Sequence, residues 1–263
     1  MATNNPISNC LVTKLTASID GDMPRLGEFI VEFDTINNPQ NKDMYICLSY
    51  IVGGSGYVRL LTSGNLMEYS TSNPAGTNVG TQLVISDNSL HCIVVPNGGK
   101  IAIGNKYDLA NFSLYSYYAT DPASLNWGTG RLTHKKVKAD DLVYCTNLKT
   151  LSVQSATIVG TLNLSLLTEL TEVGLNNSTA TLTADMFSQN YKITSLQLQG
   201  SSVTGDFAPV FDSWADLLNG TYKKVTRFRI TNTEATVNGD HYGANVNYIE
   251  FQTDGTWDMN IAS

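Results

Sequence analysis

Charge is scarce in this 263-residue chain: 15% of its residues are Asp, Glu, Lys or Arg, against about 25% in an ordinary globular domain. Its polar surface must be built from Asn, Thr, Ser and Gly, a composition suited to turn-rich β proteins. The little charge present is acidic on balance, at −7. A general nucleic-acid binder needs a basic face to displace counterions, so that class is excluded. The one basic run, His134-Lys135-Lys136-Val137-Lys138, is followed at once by Asp140 and Asp141 and reads as a solvated connector. No apolar run approaches the roughly 20 residues that span a bilayer, so no membrane insertion is expected. The segment from Met1 to Cys10 has neither a basic start nor an apolar stretch and does not read as a secretory signal. The expectation is a soluble protein made in the cytoplasm.

The signatures of chemistry are also missing. Cys10, Cys47, Cys92 and Cys145 stand far apart, so there is no Cys-x-x-Cys metal or redox motif. Apolar neighbours, as in Ile46-Cys47-Leu48 and Cys92-Ile93-Val94, suit buried thiols acting as small hydrophobes. A disulfide among Cys10, Cys47 and Cys92 stays open. His91, His134 and His241 are scattered, and His91 reads as a satisfied core or edge histidine. There is no His-Glu-x-x-His, no Gly-x-Ser-x-Gly and no phosphate-binding loop. Gly53-Gly54-Ser55-Gly56 has no helix after it and reads as a hairpin tip. The acidic pairs Asp20 and Asp22, Asp140 and Asp141, and Glu169 and Glu172 lack calcium-loop spacing. No catalytic residue, cofactor or metal site is expected, and the chain does not read as an enzyme.

What is present is periodicity. From Leu11 to about Ile103, short alternating runs are separated by Asn-, Gly- and Pro-rich turns. Phe29, Val31 and Phe33 share one face of a run, and Met44, Ile46, Leu48 and Tyr50 share another. Tyr57 to Leu61, Leu83 to Ile85, His91 to Val95 and Lys100 to Ile103 continue the series. Residues 1–104 therefore read as an antiparallel β-sandwich or barrel. No helix is expected before residue 200.

Residues 105–263 repeat. An apolar-x-x-apolar-x-apolar pattern occurs at Leu148, Leu151 and Val153, then at Leu170, Val173 and Leu175, then at Ile193, Leu196 and Leu198. It recurs at Val225, Phe228 and Ile230, and at Val246, Ile249 and Phe251. The copies start 22, 23, 32 and 21 residues apart, and a weaker copy at Leu109, Phe112 and Leu114 precedes them. Each copy is one short strand whose apolar side chains stack on those of the next copy, so several are needed to bury them. The long step carries Phe211, Trp214, Leu217 and Leu218 at helical spacing before Asn219-Gly220, which predicts a short helix with its Trp packed on the coils.

This pattern resembles the leucine-rich-repeat family, Leu-x-x-Leu-x-Leu-x-x-Asn-x-Leu, with Ser, Thr, Ala or Asp in place of the asparagine. A hydroxyl there can still bond backbone groups in the turn. The resemblance implies a mainly β fold in which a short parallel solenoid follows the antiparallel domain. Val203-Thr204-Gly205-Asp206-Phe207, Ile158-Val159-Gly160-Thr161-Leu162 and the entry Cys145-Thr146-Asn147-Leu148 are similar to repeat modules of gut Bacteroidetes proteins and of crAss-like bacteriophage virion surface proteins. That resemblance implies a non-enzymatic virion component, a head fibre or capsid decoration. Residues 1–104 would anchor it and residues 105–263 would face outward. Its expected partners are itself, as homodimer or homotrimer, capsid or other virion proteins, and a host-surface glycan or protein. The alternative is a bacterial surface adhesion module that binds glycan or protein, which would need export. On either reading the strand face of the solenoid is the candidate binding surface, with Arg227, Arg229, Tyr248, Glu250, Gln197 and Lys149 as its residues.

Overall fold

Alternation in the first part of the chain folds into two facing sheets. The computed structural model describes residues 25–33, 44–70, 73–96, 98–116, 135–219, 225, 227–230, 232–237, 250–251 and 257–258. Its first ten strands are β1 (Phe29–Phe33), β2 (Met44–Tyr50), β3 (Gly56–Leu60), β4 (Leu66–Ser70), β5 (Asn73–Gly80), β6 (Gln82–Ile85), β7 (His91–Val95), β8 (Lys100–Gly104), β9 (Leu109–Ser116) and β10 (Lys135–Lys138). One sheet orders them β10-β1-β8-β3-β6 and the other β9-β2-β7-β4-β5, antiparallel throughout. Phe29, Val31, Ile46, Leu48, Val58 and Ile103 are fully buried between them. Phe29 of one sheet meets Phe112 of the other edge-on, with ring centroids 5.1 Å apart.

The expected strands are present, with three differences. The Gly53–Gly56 segment joins β2 to β3, which lie in different sheets, so it is an arch rather than a hairpin tip. Tyr50 reaches across the sandwich to donate a hydrogen bond to the Gly104 carbonyl at 2.8 Å. A Cβ on Gly56 would stand 2.1 Å from the Tyr50 ring, so that reach requires glycine. β4 and β5 were not visible in the alternation, because the edge strand β5 carries Pro74 and Gly76 and slips register against β4. The basic run is β10, not a solvated connector, and Val137 at its centre is fully buried.

The second half winds as a parallel coil. Along one side run β11 (Thr150–Val153), β13 (Glu172–Gly174), β15 (Ser195–Gln197) and β17 (Arg227–Arg229). Along the other run β12 (Ala156–Val159), β14 (Thr181–Thr183), β16 (Ser202–Asp206) and β18 (Glu234–Thr236). The first set pairs in parallel order from β9, so the weak copy at Leu109 does begin the array. Because β9 also pairs antiparallel with β2, a single nine-stranded sheet runs β17-β15-β13-β11-β9-β2-β7-β4-β5. The other sheet of the sandwich continues likewise, with β10 pairing β1 on one side and β12 on the other.

Within the coils, Phe112, Leu151, Val173, Leu196 and Phe228 align in register and are buried. Two residues beyond each strand's last apolar position, Ser155, Asn177, Gly200 and Asn232 take left-handed backbone, with φ of 49°, 54°, 67° and 56°. At the following position the hydroxyls do what the resemblance requires. Ser201 donates to the Leu198 carbonyl at 2.5 Å and Thr233 to the Ile230 carbonyl at 2.6 Å. Neighbouring coils are joined by Asn190, which is fully buried and donates to the carbonyls of Leu164 and Leu167 at 3.0 and 2.9 Å.

Two α-helices stand among the described residues. A single turn, α1 (Ala139–Leu142), precedes residue 200, where none was expected. The predicted helix is α2 (Ala208–Leu217). Its Trp214 is buried and donates to the Phe187 carbonyl at 2.8 Å, whereas Leu217 is exposed. Asn219, at φ 56°, ends it. Of the fifth repeat copy, Val246 and Ile249 lie outside the described residues. Its β19 (Glu250–Phe251) pairs antiparallel with β20 (Trp257–Asp258) instead of extending the parallel sheet from β17.

The two halves share a core as well as their sheets. Buried Lys106 lies 3.5 Å from the Asp141 carboxylate of α1 and 4.7 Å from the Tyr144 ring centroid. Its ammonium donates to the Glu28 carbonyl at 3.4 Å. A chain beginning at Lys138 removes β9 and most of β10, the sandwich-side partners of β11 and β12, and is expected to lose soluble, cooperative melting in circular dichroism. A sharp melt from that fragment would show that the coils fold alone. Phe112→Ala is expected to cost about 3–5 kcal/mol in urea unfolding, with both halves unfolding in one transition.

Candidate functional site

Parallel pairing lays the outward side chains of the coils in rows. In one row, register aligns Asn111, Thr150, Glu172, Ser195 and Arg227. In the next it aligns Ser113, Ser152, Gly174, Gln197 and Arg229. With strands about 4.8 Å apart, each row crosses five strands in about 19 Å. Gly174 is buried under its neighbours: a Cβ there would come within 3.2 Å of the Ser152 hydroxyl and 3.3 Å of the Gln154 amide. The amides of Gln154 and Gln197 lean back onto the hydroxyls of Ser152 and Ser195 at 3.4 and 3.5 Å. Thr171 and Thr194 donate to the carbonyls of Lys149 and Thr171, at 3.1 and 3.2 Å, and tie the strand starts together.

Of the residues expected here, Gln197, Arg227 and Arg229 stand in these rows. Lys149 is exposed one residue before β11. Glu250 lies in β19, which pairs with β20 rather than standing in the parallel rows, and Tyr248 falls outside the described residues. The rows gain Asn111 and Ser113 from β9. The weak copy at Leu109 was the signal that could have found them. The face is mostly hydroxyls and amides, with its cationic side chains on β17. Such a surface offers donors and acceptors to a ligand laid across the strands.

One cluster outside the rows imitates catalytic geometry. His91 Nδ1 is 2.5 Å from Glu68 Oε1, and its Nε2 is 3.1 Å from the Ser89 hydroxyl. The third partner decides its character. Asp87 also sits 3.0 Å from Nε2, and Ser89 donates its proton to Asp87 at 2.5 Å. Burial works against charge on His91, but the carboxylates of Glu68 and Asp87 outweigh it and raise the imidazole pKa. Hydrogen bonds from Ser89 and then His91 hold Asp87 low, at about 2. With a carboxylate on each nitrogen, the protonated ring is favoured and the arrangement is that of an ion-paired clamp rather than a base aimed at Ser89. It clamps the turn before β7 to β4, in keeping with a satisfied histidine. Buried Glu28 is likewise held. Burial raises its pKa, but Arg59 at 3.0 Å, the Arg25 amide and the Tyr57 hydroxyl lower it further.

No family model matches the chain, and no curated protein matches it. Among the solved structures that resemble parts of it are two plant ectodomains. The BIR2 ectodomain from Arabidopsis thaliana aligns at 20% identity over 38% of this chain and 51% of that one, with a TM-score of 0.31. The LRR ectodomain of the receptor kinase SOBIR1 from Arabidopsis thaliana aligns at 11% identity over 48% of this chain and 76% of that one, with a TM-score of 0.29. The chain thus spans about half the length of the first. Likenesses this low carry no argument about function, and the coil is defined by its own register. No helix among the described residues is long and apolar enough to cross a membrane.

The clamp at His91 gives stability a definite pH dependence. Its folded pKa lies above the unfolded value of 6.5, so its contribution is complete below pH 6.5 and is lost as pH rises through the folded pKa. Melting temperatures measured across that window should fall more steeply for the wild type than for His91→Gln. An imidazole that titrates at or below 6.5 by NMR would contradict the clamp.

Proposed function

We propose that this chain is a non-enzymatic binding and structural module that captures its partner across the strand face of the coils. The observation that carries the reading is the pair of aligned polar rows that end on Arg227 and Arg229. A rigid sheet presents these groups without an ordering cost on binding, and arginines near the end of such a row suit a hot spot.

In its specific form, the reading is of a bacteriophage virion surface component, a head fibre or capsid decoration. Residues 1–104 anchor it and residues 105–263 face outward. This form is supported by the short Val-x-Gly motifs and the Cys145-Thr146-Asn147-Leu148 entry, which are similar to crAss-like phage repeat modules. Its partners are then a second or third copy of the chain, capsid proteins and a host-surface glycan or protein. Mainly neutral hydroxyl and amide rows suit a glycan, which is bound through many such hydrogen bonds.

Full-length protein screened on glycan and capsid-protein panels should yield a partner. Combining Arg227→Ala with Gln197→Ala is expected to weaken that binding by about tenfold or more, the effect of losing a hot-spot side chain. Its melting temperature should match the wild type. Unchanged affinity in the double variant would move the site off this face. Light scattering should give a dimer or trimer for the virion form, and a monomer would remove autonomous oligomerisation from it.

A further inference from the structure

Two cysteines far apart in sequence stand directly opposite each other on the large sheet. Cys47 of β2 and Cys92 of β7 are partners in the antiparallel ladder, so both side chains leave the sheet on the same side. That side is the outer face. Pairing continues the row of Arg229, Gln197, Gly174, Ser152 and Ser113 through Cys47 to Cys92. The two Sγ atoms are 2.7 Å apart. Opposed residues of an antiparallel pair hold their Cβ atoms about 4.5–5.5 Å apart. A disulfide takes Cβ separations of about 3.5–4.5 Å and Cα separations of about 4.4–6.8 Å, so the bond can form with little backbone movement. Neither strand is an edge: β2 lies between β9 and β7, and β7 between β2 and β4. Their ladders hold the pair in place. His91 precedes Cys92 and so points to the opposite face, where it is engaged by Glu68.

We propose that Cys47 and Cys92 are a redox pair that closes to an intramolecular disulfide, stapling β2 to β7, when the chain meets a disulfide oxidant. The Cys92 thiolate attacks one sulfur of the oxidant and forms a mixed disulfide. The other half leaves as a thiolate and takes up the proton that Cys92 lost. Cys47 then gives up its proton and attacks Cys92 Sγ, expelling the second half as a thiol. Two electrons and two protons pass from the chain to the oxidant, which ends as two thiols. Cys92 is the point of entry, because it is 6% exposed against 2% for Cys47. The hydrogen bond it receives from Cys47 lowers its pKa, whereas Cys47 is raised by that bond and by burial. The inference stands apart from the binding reading and holds whatever the coils capture.

The bond would close a loop between positions 45 residues apart and so restrict the unfolded chain. Reduction is then expected to lower the melting temperature by about 5–15 °C in a chain of this size. The test uses the full chain and oxidised glutathione, added to the folded protein and, separately, during refolding. Remaining thiols are blocked with iodoacetamide before digestion and mass spectrometry. The expected result is a linked peptide pair holding Cys47 and Cys92, with Cys145 alkylated. The double variant Cys47→Ser, Cys92→Ser should melt at the same temperature with and without reductant, and if it fails to fold, the wild-type peptide map decides. Full alkylation of Cys47 and Cys92 in both arms overturns the proposal, as does finding either one linked to Cys10 or Cys145 instead.

Discussion

Everything in this molecule hangs on the two edges of one strand. β9 offers one edge antiparallel to β2 and the other parallel to β11. A strand can do this because its backbone groups alternate in direction, so each edge pairs independently. Through β9 the sandwich supplies the coils with a finished strand to stack on, which the first repeat of a solenoid otherwise lacks. β10 performs the same exchange in the opposite sheet, between β1 and β12. The apolar faces of both halves consequently close over a continuous core, in which Phe112 of β9 touches Phe29 and aligns with Leu151.

Much of this was legible because burial writes itself into residue type. The apolar triplets from Leu148 to Ile230 mark four strands of the array at their true positions. The helical spacing of Phe211 and Trp214 marks α2. What escaped was carried by backbone pairing. Only Val137 in the basic run is apolar, so nothing in its composition distinguishes a seam strand from a loop. β5 has turn-like Pro74 and Gly76 because an edge strand tolerates them. The Gly53–Gly56 segment has hairpin composition, and only the sheet assignment of β2 and β3 reveals an arch. The fifth copy keeps the apolar spacing at Val246, Ile249 and Phe251, but Phe251 pairs antiparallel with Trp257. A pattern states which residues want burial; it does not state beside which strand.

The candidate surface shows the same division. Arg227, Arg229 and Gln197 could be placed on one face from spacing alone. Their order in two rows with Asn111 and Ser113 required register. Register likewise brings Cys47 opposite Cys92, a juxtaposition that sequence could only leave open. The row of coil hydroxyls and amides thus continues along the same side of the sheet into the sandwich, where Ser113, Cys47 and Cys92 are buried.

The unequal lengths of the ladders have a mechanical meaning. In the coils, neighbouring strands share three residue pairs each. The step from β11 to β9 has four, and that from β9 to β2 has seven. Sheet hydrogen bonds lie across the strands, along the array, so tension between the far coil and the sandwich meets these ladders in series. Such a load opens the weakest link first. The molecule is therefore graded in toughness, yielding coil by coil at its far end while the strand that joins its halves holds longest.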